Sequence, residues 1–528
     1  MSLEPPHQTA RTRLSVSAAL VGAGIFLSKI AGLVRITLFS SVYGLSDAAD
    51  AFQQALKVPN FLQNLLGEGV LSASLIPEYS ALMVTDRARA DRMARAVLAV
   101  IALITAIVVA IGITATPYLV PLVAGGYTGE KLALTTALVR IMFPGVGLLV
   151  LAAWCLAILN SHHRFFLSYA APICWNLAIV AVLWIFRHDE LSRLAVRLAW
   201  ATVAGAGLQL AIQAPVVWRL MSGHWTHVAS DIAGPVRRVL VSTLPVIFTR
   251  GVVQVSSYID NYIATWLGAG AAAGLASAQQ LSLLPVSLFG MAVSSASLPT
   301  MSTAVAANLP EALRTRLAIG QETIAALVVP SVVAFLTLGD VMIAMLLEHG
   351  QFTHHNTLYV WGILAGASVG LLATTIGRLY VSTFYALGDT KTPTRIASLR
   401  VLLVGGLGYV LALPVPRLLG LPLEEGCAGL TISAGISGWI EFLLLRHFLR
   451  ARIGSIGRPG RVIGRAWTSA AVAAAVATAL RWVIPPHLLV VRGVVILGVF
   501  GSLYLLGAQW LGIFDATTLL RRVVRRKS

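Results

Sequence analysis

The sequence predicts an all-α protein that crosses a membrane many times. Hydrophobic residues make up 57% of the 528-residue chain and charged residues only 11%, with a mean hydropathy of +0.82. Apolar runs of about 20 residues, the length that spans a bilayer, recur along the whole chain. Helices are expected because lipid-exposed backbone must satisfy its hydrogen bonds within its own segment.

We predict about fourteen spans, several of them long enough to imply tilt or bending. They cover residues 15–43, 47–84, 90–116, 130–160, 165–187, 196–221, 235–267, 271–305, 313–339, 356–387, 394–415, 426–449, 462–484 and 489–513. The first is too long for the apolar part of a signal peptide and is interrupted by Lys29, so we interpret it as a retained span.

Basic residues predict the orientation of these spans. They cluster before spans one and seven, after spans two, eight and twelve, between spans ten and eleven, and in the C-terminal tail. The opposite loops, such as 44–47, 115–130 and 268–270, carry almost none, although the loop after span five is an exception. This bias predicts that both termini are cytoplasmic. It also accounts for the net charge of +18, which we therefore do not attribute to nucleic-acid binding.

An internal repeat predicts two similar halves. Gln53-Gln54, Pro59 and the run 72–75 (Ser-Ala-Ser-Leu) recur at Gln279-Gln280, Pro285 and 295–298, offset by 223 to 226 residues. The copies are six spans apart, so they share one orientation, as in a parallel repeat. Chance similarity is the alternative, because small residues and proline are common in membrane helices.

The predicted organisation is therefore two pseudo-symmetric six-helix lobes followed by a helix pair. Its parts are a cytoplasmic segment 1–14, an N-lobe 15–221, a C-lobe 235–449, a basic cytoplasmic linker 450–461, a terminal pair 462–513 and a basic cytoplasmic tail 514–528.

A polar stripe along span two marks a candidate site. Steps of three and four residues place its members on one helical face. They are Asp50, Gln53, Gln54, Lys57, Asn60, Asn64 and Glu68. Ionisable groups at membrane depth normally face a wet cavity or each other, so the stripe predicts the binding of something polar. An ion-pair network that only fixes packing is the alternative. Pro59 and Gly67 should bend or break this helix.

Further cations suggest an anionic ligand. Lys29 and Arg35 in span one are six residues apart, about 120° and about 9 Å on a straight helix, and both are long enough to reach one cavity. In the second half, Arg250 and Arg378 are further cationic candidates, and Gln280 is a polar one. Asp260 and Asp389 are a candidate Na⁺ or proton site, although Asp389 also fits a helix-ending turn.

Other chemistry is not indicated. Cys155, Cys174 and Cys427 are isolated, and the two His-His pairs, at 162–163 and 354–355, lack metal-ligand spacing. No phosphate-binding glycine loop or catalytic motif is present in the sequence. We therefore predict a transporter rather than an enzyme, with no cofactor, driven by Na⁺ or H⁺ coupling, membrane potential or the substrate gradient.

Several of these residues belong to short runs that together are typical of one family. The runs are 28–35 (Ser-Lys-Ile-Ala-Gly-Leu-Val-Arg), 50–52 (Asp-Ala-Phe), 59–62 (Pro-Asn-Phe-Leu), 67–69 (Gly-Glu-Gly), 76–77 (Ile-Pro) and 384–393 (Phe-Tyr-Ala-Leu-Gly-Asp-Thr-Lys-Thr-Pro). They resemble the MurJ (MviN) lipid II flippases. The resemblance implies a fold of the MOP exporter superfamily, to which the MATE transporters also belong. It also implies alternating access through a central cationic cavity for an undecaprenyl-pyrophosphate-linked peptidoglycan precursor.

The resemblance carries over only in part. Arg35, Asp50 and Glu68 match the family pattern, and Lys29 stands where an arginine is usual, which keeps the charge but loses the bidentate fork. The basic pair expected after Pro59-Asn60 is here Gln63 and Asn64, and the arginine expected in span eight is Gln280.

The resemblance predicts an inner-membrane flippase of bacterial cell-wall biogenesis, with lipid II and membrane lipids as partners and cell-wall synthesis proteins as candidate partners. Lys29 and Arg35 would hold the pyrophosphate, Asp50 and Glu68 would position them, and polar residues of spans two and eight would contact the sugars or peptide. The alternatives are an exporter of another undecaprenyl-linked saccharide and a non-transporting scaffold. A cation-coupled drug antiporter is disfavoured by the excess of basic residues.

Overall fold

A computed structural model describes residues 27–221, 233–457, 460–485 and 487–513. Helices are the regular elements throughout these ranges, and the described residues contain no β-strand. By internal contacts the chain divides into two compact units between Tyr258 and Ile259. The all-α class predicted from composition is therefore confirmed.

The first unit is built from nine helices of the described chain, the last of which continues across the unit boundary. They are α1 (27–43), α2 (Asp47–Leu66), α3 (Glu68–Thr85), α4 (Arg87–Val123), α5 (Gly129–Ser161), α6 (Phe165–Ala170), α7 (Pro172–Ile185), α8 (Leu191–Met221) and α9 (Ala233–Ala264).

The second unit contains the end of α9 and eleven further helices in the described ranges. They are α10 (Ala271–Pro285), which a π-helical turn (Val286–Met291) joins to α11 (Ala292–Ala306), then α12 (Pro310–Thr337), α13 (Gly339–Leu347), α14 (His354–Ser368), α15 (Leu371–Ala386), α16 (Lys391–Ala412), α17 (Pro414–Leu418), α18 (Gly426–Ile453), α19 (Gly460–Ala479) and α20 (Leu489–Trp510).

Ten helical segments of the described chain are long and apolar enough to cross a membrane, and the bent pair α14–α15 makes an eleventh. The predicted spans one, two and seven also coincide with helices but are not among these segments. Span one is described only from residue 27, span two is interrupted, and α9 is less apolar. The number fourteen therefore stays a prediction.

The helix of predicted span two breaks at Gly67, within the Gly-Glu-Gly run 67–69 that predicted a break or bend. Ser46 begins α2 by accepting a hydrogen bond from the amide of Ala49 at 3.2 Å. The helix passes Pro59 without ending and stops at Gly67, whose ψ of −144° is not helical. A Cβ at Gly67 would lie 2.3 Å from the carbonyl oxygen of Gln63, so only glycine fits this break.

Helix α5 is the central element of the first unit. It packs against α2, α4 and α8, and its C-terminal half is almost entirely buried. Trp154 fixes the contact with α4 by donating from its indole to the carbonyl of Ala94 at 3.1 Å. This rigid scaffold positions α2, which carries the polar stripe.

In the second unit, small residues allow close helix packing. The bend between α14 and α15 lies at Gly370, where an added Cβ would come within 2.4 Å of the Cα of Gly435 on α18. The terminal helices α19 and α20 dock on α12 and α13. Arg481, which follows α19, holds the carboxylate of Asp340 through two bonds of 2.8 and 2.9 Å.

Candidate functional site

The polar stripe of α2 runs from a buried end to an exposed end. Asp50 and Gln54 are buried, whereas Lys57 and Asn60 are partly exposed and Asn64 is exposed. Gln54 donates to the carbonyl of Val123, at the end of α4, at 2.6 Å. The buried part of the stripe therefore holds helices together, whereas Asn60 and Asn64 are accessible at its other end.

Asp50 has a cationic partner that the sequence reading missed. The Lys131 ammonium donates to Asp50 and to Asp47, both at 2.7 Å, and lies 4.4 Å from the ring centre of Tyr127. Asp50 is fully buried, so this ion pair compensates a charge that water does not reach. Lys131 lies in the first turn of α5, where a positive charge interacts unfavourably with the helix dipole. A lysine at such a position indicates a compensating carboxylate, and this signal could have identified Lys131.

Lys57 lies at the turn that Pro59 loosens. Its backbone carbonyl accepts a hydrogen bond from the hydroxyl of Tyr258. The Tyr258 ring meets Phe61 edge-on, with 5.0 Å between ring centres. Tyr258 thus ties the middle of α2 to α9 within the first unit and satisfies a backbone acceptor near the proline.

Arg35 is held in place by two neighbouring residues of α7. Its Nε donates to Asn176 Oδ1 at 3.0 Å, and its guanidinium lies 5.2 Å from the ring centre of Trp175. Asn176 is itself fixed by donating to the carbonyl of Pro172 at 3.3 Å. The terminal Nη groups of Arg35 make no hydrogen bond within the described part of the chain, so the fork is oriented and free to bind an oxyanion.

The remaining candidates of this unit are less defined. Lys29 is exposed on α1, and Gln63, one of the two positions that replace the basic pair, is partly exposed on α2. The side chains of Glu68 and Arg250 lie outside the described residues. The structure therefore brings Asp50 together with Lys131, and Arg35 with Asn176.

In the second unit, Gln280 and Arg378 are exposed, on α10 and α15 respectively, and Asp260 is buried on α9. Arg400 on α16 pairs with Glu441 on α18 at 2.9 Å. Arg378 on α15 lies at the same level, because Tyr380, two residues further on, stacks against Phe442 of α18 with 5.4 Å between ring centres. Arg400 and Glu441 were not among the sequence candidates, although single charges inside apolar spans are a recognisable signal.

Asp389 caps a helix. Its Oδ1 accepts from the amides of Lys391 and Thr392, both at 3.0 Å, and its Oδ2 accepts from the Thr392 hydroxyl at 2.6 Å. Arg452 adds an ion pair at 2.8 Å. These hydrogen bonds and the arginine hold the pKa of Asp389 below its usual value. The turn-forming alternative for Asp389 is therefore observed, and a cation site with Asp260 stays a prediction.

The paired histidines make structural contacts. His162 lies 3.0 Å from the hydroxyl of Tyr79, and His354 lies 3.1 Å from the carboxylate of Glu348. Within the described ranges, no group of three or more His, Cys, Asp or Glu side chains is arranged to hold a metal ion.

Comparison with known proteins places the chain in one family. The family model described as "Lipid II flippase MurJ" matches residues 39–501. A relative from Burkholderia cenocepacia, named lipid II flippase MurJ, is 31% identical over 435 residues, which cover 81% of this chain and 82% of the relative.

Solved structures share the fold. One described as the lipid II flippase MurJ in an inward closed conformation matches with a TM-score of 0.77 at 21% identity, covering 96% of this chain and 99% of that one. A multidrug resistance MATE transporter of the MOP superfamily matches with a TM-score of 0.66 at 17% identity, covering 80% and 95%. The predicted MOP-type fold is confirmed, and this multi-pass membrane protein belongs to the lipid II flippase MurJ family.

Proposed function

We propose that this chain is a transporter that flips lipid II, the undecaprenyl-pyrophosphate-linked peptidoglycan precursor, by alternating access. Translocation runs from the cytoplasmic to the periplasmic leaflet of the bacterial inner membrane. The observation that carries the proposal is the match of the lipid II flippase family model to residues 39–501. The similar length of the Burkholderia relative supports the transfer of its named activity to the whole chain.

Arg35 is the residue best arranged to bind the pyrophosphate. Its guanidinium is anchored through Nε by Asn176 and by the ring of Trp175, which leaves the two terminal nitrogens for phosphate oxygens. A planar fork matches two oxygens of one phosphate, and anchoring it lowers the entropy lost on binding. Lys29 supplies a second, less directional charge.

The stripe on α2 supplies the rest of the site. Asp50 and Glu68 position and balance the cations, and Asp50 does so in part through Lys131. Lys57, Asn60 and Asn64 offer hydrogen bonds to the sugars or the peptide. Arg250 in the first unit, and Gln280 and Arg378 in the second, are further proposed contacts for the ligand.

The sequence supports an orientation and an energy source for the transporter. The basic loops support cytoplasmic termini. The sequence contains no nucleotide-binding motif, so the proposed energy source is Na⁺ or H⁺ coupling, with Asp260 and Asp389 as candidate ligands, the membrane potential or the substrate gradient. Proteins of cell-wall synthesis, which consume the product, are the proposed partners.

Complementation tests this function. A strain depleted of its own lipid II flippase is supplied with wild-type protein, Arg35→Ala, Asp50→Ala or the control Arg193→Ala, at equal levels in the membrane. Arg193 is 68% exposed and makes only a loose pair, at 3.8 Å, with Glu190. We expect growth with wild type and Arg193→Ala, loss of growth with Arg35→Ala, and loss or reduction of growth with Asp50→Ala.

Two other results would redirect the proposal. If inserted wild-type protein does not restore growth and does not bind lipid II, the exporter of another undecaprenyl-linked saccharide is favoured; the uncharged residues at Gln63, Asn64 and Gln280 point to that second candidate. If Arg35→Ala restores growth fully, the function of the protein does not require this arginine, as expected of a non-transporting scaffold.

A further inference from the structure

Three ionisable residues lie at neighbouring positions on three helices of the second unit. Arg378 lies on α15, Arg400 on α16 and Glu441 on α18, all of which belong to apolar segments of membrane-spanning length. Arg378 and Arg400 lie eight and nine residues from the helix ends at the loop 387–390. That is roughly 12 and 14 Å along the helices, deeper than an arginine reaches by extending towards the interface.

The cluster is only partly neutralised. Arg400 Nη1 donates to Glu441 Oε2 at 2.9 Å, and both side chains are mostly buried. The buried Nε of Arg400 has no hydrogen-bond partner within the described ranges. Arg378 is exposed and makes no hydrogen bond or ion pair there. Two guanidinium groups and one carboxylate leave a net charge of +1.

Polar residues accompany Arg378 along its face of α15. Helices α15 and α16 both pack closely against α18 but hardly contact each other. On α15, Thr374 and Ser382 lie one turn before and one turn after Arg378, so they share its face. Polar residues repeated at this spacing at membrane depth indicate contact with water or with a polar ligand.

We propose that Arg378, Arg400 and Glu441 form a binding site for a phosphate or pyrophosphate group carried by a lipid. Arg378 supplies the donors to the oxyanion, since guanidinium groups bind phosphate oxygens in fixed geometry, and Arg400 adds a second positive charge. Glu441 orients Arg400 and limits the positive charge, which favours release. A purely structural ion pair would explain Arg400 and Glu441 but not an uncompensated Arg378 beside them.

Two kinds of lipid carry such a phosphate or pyrophosphate group. One is an undecaprenyl-linked pyrophosphate. In that case the cluster is a second binding site for the transported lipid, and this inference rests on the proposed function. The other is the headgroup of an anionic phospholipid, in which case the site does not depend on flipping.

Lipid binding to the purified full-length chain tests the site. The probes are undecaprenyl pyrophosphate, phosphatidylglycerol and inorganic pyrophosphate, and bound lipid is counted by native mass spectrometry. Each substitution is made in wild type and in Arg35→Ala, so that binding at Arg35 is separated from binding at the cluster. Arg395→Gln, at an exposed arginine near the start of α16, is the matched control.

We expect Arg378→Gln to weaken the binding of one lipid probe about ten-fold, equivalent to about 1.4 kcal/mol. Glu441→Gln should strengthen binding several-fold, a change that a structural role would not produce. Loss confined to undecaprenyl pyrophosphate identifies the first lipid source, and loss confined to phosphatidylglycerol identifies the second. The proposal is overturned if Arg378→Gln binds both lipids as well as Arg395→Gln does, or if Glu441→Gln weakens lipid binding. It is also overturned if the substitutions change only the binding of inorganic pyrophosphate.

Discussion

Replacing Asp50 and Asp47 separately by asparagine tests whether burial determines the strength of the ion pairs that Lys131 makes. The two carboxylates are equally close to the ammonium, at 2.7 Å, but the Asp47 side chain is 65% exposed and the Asp50 side chain is not exposed at all. Exposed pairs contribute at most about 1 kcal/mol. Removing one partner of a buried pair costs about 3–5 kcal/mol. Because Lys131 keeps Asp47, we expect about 3 kcal/mol for Asp50→Asn.

Thermal unfolding in detergent, followed by tryptophan fluorescence, measures the difference. For a unit of this size, 1 kcal/mol corresponds to about 2–4 °C in Tm. We therefore expect Asp50→Asn to lower Tm by about 6–12 °C and Asp47→Asn by about 4 °C at most. Lys131→Met, which leaves Asp50 buried without this partner, should be at least as harmful as Asp50→Asn. Equal shifts for Asp47→Asn and Asp50→Asn would show that burial does not determine the strength of these ion pairs.

Three further substitutions test separate parts of the account. Arg35→Lys keeps the charge but loses the Nε hydrogen bond and the fork, so pyrophosphate binding should weaken about ten- to hundred-fold, as measured by lipid titration. Gly370→Ala should lower Tm by about 2–12 °C, because its Cβ would meet Gly435 at 2.4 Å, whereas Gly377→Ala, with its nearest contact at 3.9 Å, should change Tm little. Asp389 has a folded-state pKa below the unfolded value of 3.8, so its stabilisation is complete above about pH 3.8 and is lost as the pH falls through the folded pKa. Unfolding scans should therefore show wild type losing Tm more steeply than Asp389→Asn below pH 4; parallel losses would contradict this assignment.

The helices were predictable because their signal is local. Long apolar runs defined the segments, and Gly67 marked the break in span two. The bend at Gly370 was not predicted, because a change of helix direction leaves the hydropathy of the segment unchanged. Pro59 was expected to bend or break the helix, yet α2 continues through it, with Tyr258 donating to the backbone nearby.

The contacts of the candidate site were harder to predict. The helical period placed Asp50 and Lys57 on one face of α2, but it does not say which helix covers that face. Lys131 is 81 residues from Asp50, and Asn176 is 141 residues from Arg35. Such partners meet only when distant helices pack together, and this packing leaves no local pattern in a single sequence. Arg400 and Glu441 were missed for a different reason: each is a single charge in its span, and only the packing of α16 on α18 joins them.

We propose that this chain moves lipid II to the outer leaflet and that Arg35 binds its pyrophosphate during this transfer. The most direct test of this proposal measures outer-leaflet lipid II in flippase-depleted cells, using a lipid II-cleaving enzyme that acts only from the periplasm. We predict that wild-type protein restores cleavage and that Arg35→Ala, at the same level in the membrane, does not. Cleavage that stays at the depleted level with inserted wild-type protein, or that is fully restored by Arg35→Ala, would contradict the account.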